Sequence, residues 1–137
     1  MLRVADLMQA DVRTILEDAP VSEAILLLAD GHVSGLPVLN ANRQLVGVIS
    51  TTDILAAEAE SDTADALNRV VTLTRVGDIM TRLPKTIEPD ADIKLAAQQM
   101  LYLEVHRLFV VTDGKLLGVL SQSDIVRAVA SGQVATV

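Results

Sequence analysis

The chain has no cysteine and no tryptophan, and only one tyrosine and one phenylalanine. Without thiols, disulfides and thiolate metal sites are excluded, and the composition suits a reducing compartment. Without aromatic platforms, stacking of single-stranded nucleic acid is excluded as well. Basic residues are scarce: 11 Lys and Arg against 18 Asp and Glu leave a net charge of -7, which argues against nucleic acid as a partner. No apolar run approaches the roughly 18 residues of a membrane helix, and Met-Leu-Arg-Val-Ala-Asp at the start lacks a leader's layout. The expectation is a cytoplasmic protein with no membrane partner. Catalytic constellations are missing too, since there are only two histidines, His32 and His106, and no Gly-x-x-x-x-Gly-Lys loop. No enzyme activity, metal or required cofactor is expected.

What is present is a repeat. Half of the residues are apolar, so the core must be built from Leu, Val, Ile, Ala and Met. Asp6-Leu-Met8 matches Asp78-Ile-Met80, and Thr14-Ile15 matches Thr86-Ile87, both at an offset of 72. After a one-residue deletion the offset becomes 71, and Gly47-Val-Ile-Ser50-Thr-Thr52-Asp53 pairs with Gly118-Val-Leu-Ser121-Gln-Ser123-Asp124. Self-similarity of this reach sets the domain plan: residues 1–57 as repeat 1, 58–72 as an acidic helical linker, and 73–137 as repeat 2.

Each copy reads as strand, helix, strand, strand, helix. In the first, residues 13–16 are extended, Asp18 is a plausible N-cap with Pro20 just inside the helix, and Val21, Ala24, Ile25 and Leu28 share a face that ends at Gly31. Residues 36–39 and 45–49 form a hairpin, and Ser50 opens the last helix. In the second, residues 86–88 are extended and Ile93, Ala96, Ala97 and Met100 form the stripe. Strands at 108–111 and 116–120 then flank a tight turn at Asp113-Gly114. Met8, Met80 and Met100 read as core, and Asp6 and Asp78 as residues of short helical turns. Neither copy buries much alone, so packing of two copies by a pseudo-twofold is expected.

The Ser-x-x-Asp turns admit two readings. One is a capping box, in which serine accepts from the third helical N–H and the acid returns the bond. The other is a ligand site, because free N–H groups at a helix start suit phosphate, Thr52 and Ser123 add hydroxyls, and a carboxylate can accept from ribose hydroxyls. His106-Arg107 precedes the strand at 108–111. It is either a phosphate-binding fork aimed at the turn or a pair of solvated edge residues. Arg127 is either part of that fork's surroundings or an i, i+3 partner of Asp124.

Asp-x-Met at the start of each copy, Val33-Ser-Gly-Leu-Pro-Val38 and Val105-His-Arg-Leu-Phe-Val110 at the middle strand, and Gly-x-x-Ser-x-x-Asp before the last helix together resemble a pair of CBS (cystathionine-beta-synthase) domains, a Bateman module. The resemblance spans the whole chain. It implies an α/β fold of tandem β-α-β-β-α repeats and a regulatory, energy-sensing role in which AMP, ADP or ATP binds and occupancy is signalled to a separate regulated protein. A homodimer is implied as well. Its crossed main site would use Thr14, Ile15, Val33 and Leu36 for the base, with His106, Arg107, Ser121, Ser123 and Asp124 for ribose and phosphates. The second, weaker site would use Ser50, Thr52 and Asp53 with Thr86, Ile87 and Val105. There Ser34-Gly35 stands in for His106-Arg107, and Ala56 for Arg127. The alternatives are a dimerisation scaffold that binds no nucleotide, or the same cleft holding another adenosyl ligand such as S-adenosylmethionine, or an RNA end.

Overall fold

A computed structural model describes residues 2–60, 63–64 and 73–133. Two compact units account for the chain, Arg13–Pro84 on one side and Met1–Val12 with Lys85–Val137 on the other. The spatial units therefore differ from the sequence repeats at their edges. The opening segment of each copy packs on the unit whose strands belong to the other copy.

In the unit Arg13–Pro84, the elements are β1 (Ile15–Leu16), α2 (Val21–Gly31), β2 (Gly35–Leu39), β3 (Leu45–Ser50), α3 (Thr51–Ala59), α4 (Val76–Ile79) and β4 (Thr81–Arg82). The sheet order is β1-β2-β3-β4, with β1 parallel to β2 and the other two pairings antiparallel. The second unit has α1 (Val4–Leu7), β5 (Thr86–Ile87), α5 (Ile93–Leu103), β6 (Arg107–Thr112), β7 (Lys115–Ser121) and α6 (Gln122–Ala130). Its sheet runs β5-β6-β7, again parallel and then antiparallel.

Alternation along the strands and the helical stripe explain the cores. Ile15, Ala24, Leu28, Leu36, Val38, Ile49, Val76 and Met80 bury together in the first unit. Val4, Ile87, Ile93, Ala96, Met100, Leu108, Val110 and Leu120 do so in the second. Val4 and Val76 are both fully buried, so α1 and α4 are parts of these cores. Met80 and Met100 are buried and Met8 packs against the second cluster, as the sequence suggested.

The exchanged segments dock through backbone. Gln9 and Val119 trade two hydrogen bonds at 2.9 Å each, while Val21 N donates to the Thr74 carbonyl and Val76 N to that of Ala19. Gly118 and Gly47 make this possible. A Cβ on Gly118 would lie 2.6 Å from the Gln9 carbonyl oxygen, and one on Gly47 would lie 2.7 Å from Met80 Sδ and 2.8 Å from the Thr81 carbonyl oxygen. These glycines serve close backbone approach rather than turn geometry.

Helix ends differ from expectation by small steps. Pro20 is the N-cap of α2 and not its first helical residue, and Gly31 is still helical, with His32 taking the left-handed cap at φ 50°. Glu104 does the same for α5 at φ 56°. At the start of α5 the Asp92 side chain accepts from Lys94 N at 3.0 Å. Asp92→Ala should lower stability by about 1 kcal/mol in a urea titration, whereas Pro20→Ala, which removes no side-chain cap bond, should cost less. The Asp113-Gly114 turn is left-handed at both residues, φ 52° and 80°, as a two-residue hairpin loop requires. Strand β4 had no counterpart in the sequence reading. Most of the linker expected over residues 58–72 lies outside the described residues. α3 itself ends at Ala59 with Glu60 as its cap.

Candidate functional site

Each last helix begins at a strand end, and the sequence folds locally to close that turn on itself. Ser121 is extended, at φ -107° and ψ 163°, so its hydroxyl meets Asp124 N at 3.2 Å while Ser121 N donates to Asp124 Oδ2 at 2.8 Å. Ser50 and Asp53 repeat this with distances of 3.2 and 2.8 Å, and the Ser50 hydroxyl also donates to Asp53 Oδ2 at 3.0 Å. The capping-box reading of both turns is correct. What remains for a ligand is decided by the groups the cap leaves over.

Of the first three N–H groups of α6, Gln122 N is taken by the His106 carbonyl at 2.9 Å and Asp124 N by Ser121. Ser123 N–H has no partner among the described residues, and Ser123 itself is exposed. In α3, Thr51 N goes to the Ser34 carbonyl at 2.9 Å and Asp53 N to Ser50, so exposed Thr52 holds the equivalent place. One N–H and one hydroxyl on the same residue, at the positive end of a nine-residue helix, can hold an anionic oxygen.

His106 and Arg107 stand beside their turn. Arg107 is the register partner of Ser121, and exposed His106 places Nδ1 3.3 Å from Gln122 Oε1. Gln122 Nε2 also donates to the Val105 carbonyl at 3.3 Å, which ties the strand entrance to the helix start. Thus His106, Arg107, Ser121, Ser123 and Asp124 come together in one unit. Thr14, Ile15, Val33, Leu36, Ser50, Thr52 and Asp53 lie in the other, whereas Thr86, Ile87 and Val105 share the first. Ile15, Leu36 and Ile87 are consumed by the cores, so they can offer a ligand little beyond backbone. Thr14 is half-buried and Val33 is 40% exposed. Thr14 and Ile15 line a cavity of about 220 Å³ with Ala19, Glu23 and Arg43.

The sequence reading missed the partners of the aspartates' outer oxygens. Gln9 Nε2 donates to Asp124 Oδ1 at 3.1 Å, and Thr81 Oγ1 to Asp53 Oδ1 at 3.1 Å. Gln9 and Thr81 are equivalent at the offset of 72, each directly after the methionine of Asp-x-Met. That polar residue at a repeated place was the available signal. Arg127 supplies a further donor to Asp124 Oδ1 and is the i, i+3 pair, with its side chain 65% exposed. Asp124 is buried, at 6% exposure, whereas Asp53 is half-buried. Among the described residues no cluster of His, Asp or Glu is arranged to hold a metal, and no helix is long and apolar enough to cross a membrane.

The CBS-domain profile matches this sequence twice, over residues 4–60 and 76–131. The chain belongs to the CBS-domain family. CBS pairs are regulatory rather than catalytic modules, and they also occur within multidomain enzymes. CBSX2, a chloroplastic CBS-domain protein of Arabidopsis thaliana, is 34% identical over 129 residues, which cover 79% of this chain and 54% of that protein. This CBS pair thus spans about half the length of that relative. A homoserine O-acetyltransferase of Methanococcoides burtonii is 32% identical over 92% of this chain but only 24% of its own length. Among solved structures, CBSX2 in complex with AMP has a TM-score of 0.79 at 32% identity, covering 96% of this chain and 98% of that one. The CBS pair of MJ0100, in complex with 5-methylthioadenosine and S-adenosyl-L-methionine, shares the fold with a TM-score of 0.75 at 24% identity, over 96% and 98% of the two chains.

Proposed function

We propose that this CBS pair is a regulatory module that binds an adenine nucleotide and signals occupancy to a partner protein. The observation that carries the reading is the match to AMP-bound CBSX2 over nearly the whole length of both chains, joined to a repeated turn whose leftover donors suit an anion. His106, Arg107 and Ser123 are assigned to phosphate, and Asp124 and Ser121 to ribose. Thr14, Ile15, Val33 and Leu36 are assigned to the base, with Ile15 and Leu36 acting through backbone. Thr52 with Ser50 and Asp53 forms the second, weaker set, together with Thr86, Ile87 and Val105. It lacks a histidine-arginine pair, so phosphates bind less tightly there. Exposed apolar side chains on helices, among them Leu26, Leu55, Leu101 and Val126, support a homodimer as the signalling form.

Isothermal calorimetry with AMP, ADP, ATP and adenosine tests the reading. AMP should bind more tightly than adenosine, and at 100 times its Kd should stabilise the chain by about 2.7 kcal/mol. The closed capping boxes favour a second reading, a scaffold whose turns only begin helices. Under it no adenine nucleotide raises the melting temperature. S-adenosylmethionine has no phosphate, so binding it in preference to AMP would replace the nucleotide with another adenosyl ligand.

A further inference from the structure

We propose that Gln9 is a gate on the Asp124 carboxylate, and that opening it is how occupancy leaves the Asp124 turn. The inference rests on the nucleotide reading and adds to it a residue and a route. The Asp124 side chain is 4% exposed and all of its observed bonds are internal. Oδ2 accepts from Ser121 N within the helix cap, whereas the donors to Oδ1, Gln9 and Arg127, line an open concavity, so the ribose hydroxyl is assigned to Oδ1. Two donors occupy that oxygen, Gln9 Nε2 and Arg127. The Arg127 bond is charge-assisted and comes from the same helix, whereas Gln9 offers a neutral amide from a separate segment. The neutral donor is the one a ligand displaces.

Displacement has a direction to travel. The Gln9 backbone is paired both ways with Val119, beside the close approach at Gly118, and the segment continues back into α1, whose Val4 is buried in the core. Freeing the Gln9 side chain removes its tie to the start of α6 and leaves the segment held to β7 by the backbone pair with Val119. Gln9, Asp124 and Arg127 all line an open concavity of about 670 Å³, so a released amide has room to turn outward. The equivalent bond from Thr81 to Asp53 is made by a hydroxyl, which can rotate and accept instead of leaving. The gate therefore belongs to the Asp124 turn alone.

The test is calorimetry of AMP with the full chain, its Gln9→Leu variant and its Gln9→Ala variant, joined to hydrogen exchange at the Gln9 and Val119 amides. Both variants should melt close to the wild type, because the backbone pairing stays. They should bind AMP roughly three- to tenfold more tightly, since no internal donor has to be expelled. In the wild type, AMP should speed exchange at Gln9 and Val119, and in the variants it should not. Equal or weaker binding by the variants overturns the gate while wild-type binding keeps the nucleotide reading in place. If the variants bind and the wild type does not, the gate is supported as shut. If none binds, both proposals fall.

Discussion

Gly118→Ala is expected to destabilise the unit Met1–Val12 with Lys85–Val137 by about 3 kcal/mol, read as a shifted midpoint in urea and as loss of exchange protection at Gln9 and Val119. The added Cβ would meet the Gln9 carbonyl oxygen at 2.6 Å and Met8 Sδ at 3.0 Å. The methionine can move. The carbonyl cannot, because it accepts from Val119 N at 2.9 Å and its own residue's N–H is bonded to the Val119 carbonyl. Either the strand segment detaches or β7 bends, and both give up backbone hydrogen bonds. Gly47→Ala should be damaging for the same reason, since the Thr81 carbonyl oxygen would lie at 2.8 Å. Gly132→Ala is a useful contrast. Its Cβ meets nothing within 4 Å, and only the left-handed φ of 81° opposes it, so its cost should be about 1 kcal/mol. Equal effects at positions 118 and 132 would show that close approach is not what Gly118 supplies.

Asp124→Ala should act twice. It removes the acid of the capping box and leaves Ser121 N and the Gln9 amide without their acceptor, which together should cost about 2 kcal/mol. It should also weaken AMP binding at that turn by roughly a hundredfold, the scale of a charged hydrogen-bond partner lost from a buried site. Asp124→Asn separates the two effects. The amide oxygen can still accept from Ser121 N, so most of the stability should return, while an NH2 group stands where Oδ1 was and cannot accept from a ribose hydroxyl. Stability restored without binding supports a ligand role for the carboxylate. Unchanged AMP affinity in both variants would leave Asp124 as a cap only.

Much of this was legible along the chain because it is local. The capping boxes are bonds between residues three apart, so Ser50 with Asp53 and Ser121 with Asp124 could be read directly from spacing. That His106-Arg107 lies near the Ser121 turn followed from a hairpin closed by the two-residue loop at Asp113-Gly114, whereas the register shift at Val110/Val111 that puts Arg107 opposite Ser121 was not legible. Leu36, Ile15 and Ile87 were harder. An apolar residue beside a candidate pocket looks the same in sequence whether it lines the pocket or fills the core, and here all three fill the core.

The sequence by itself determined the duplication, the strand, helix, strand, strand, helix order within each copy, though not β4, the two capped turns and the family. Periodicity and capping act over a few residues, and they repeat wherever the sequence repeats. Only the tertiary structure decided that the opening segment of each copy packs on the unit built from the other copy's strands, which gives Asp124 the amide of Gln9 and Asp53 the hydroxyl of Thr81. The offset of 72 says that Gln9 and Thr81 are equivalent, but two equivalent segments can pack on either of two equivalent sheets. Periodicity and spacing do not encode that choice. It rests on burial of Val4 and Val76 and on two glycines that admit a neighbouring backbone, contacts made between residues far apart in the chain.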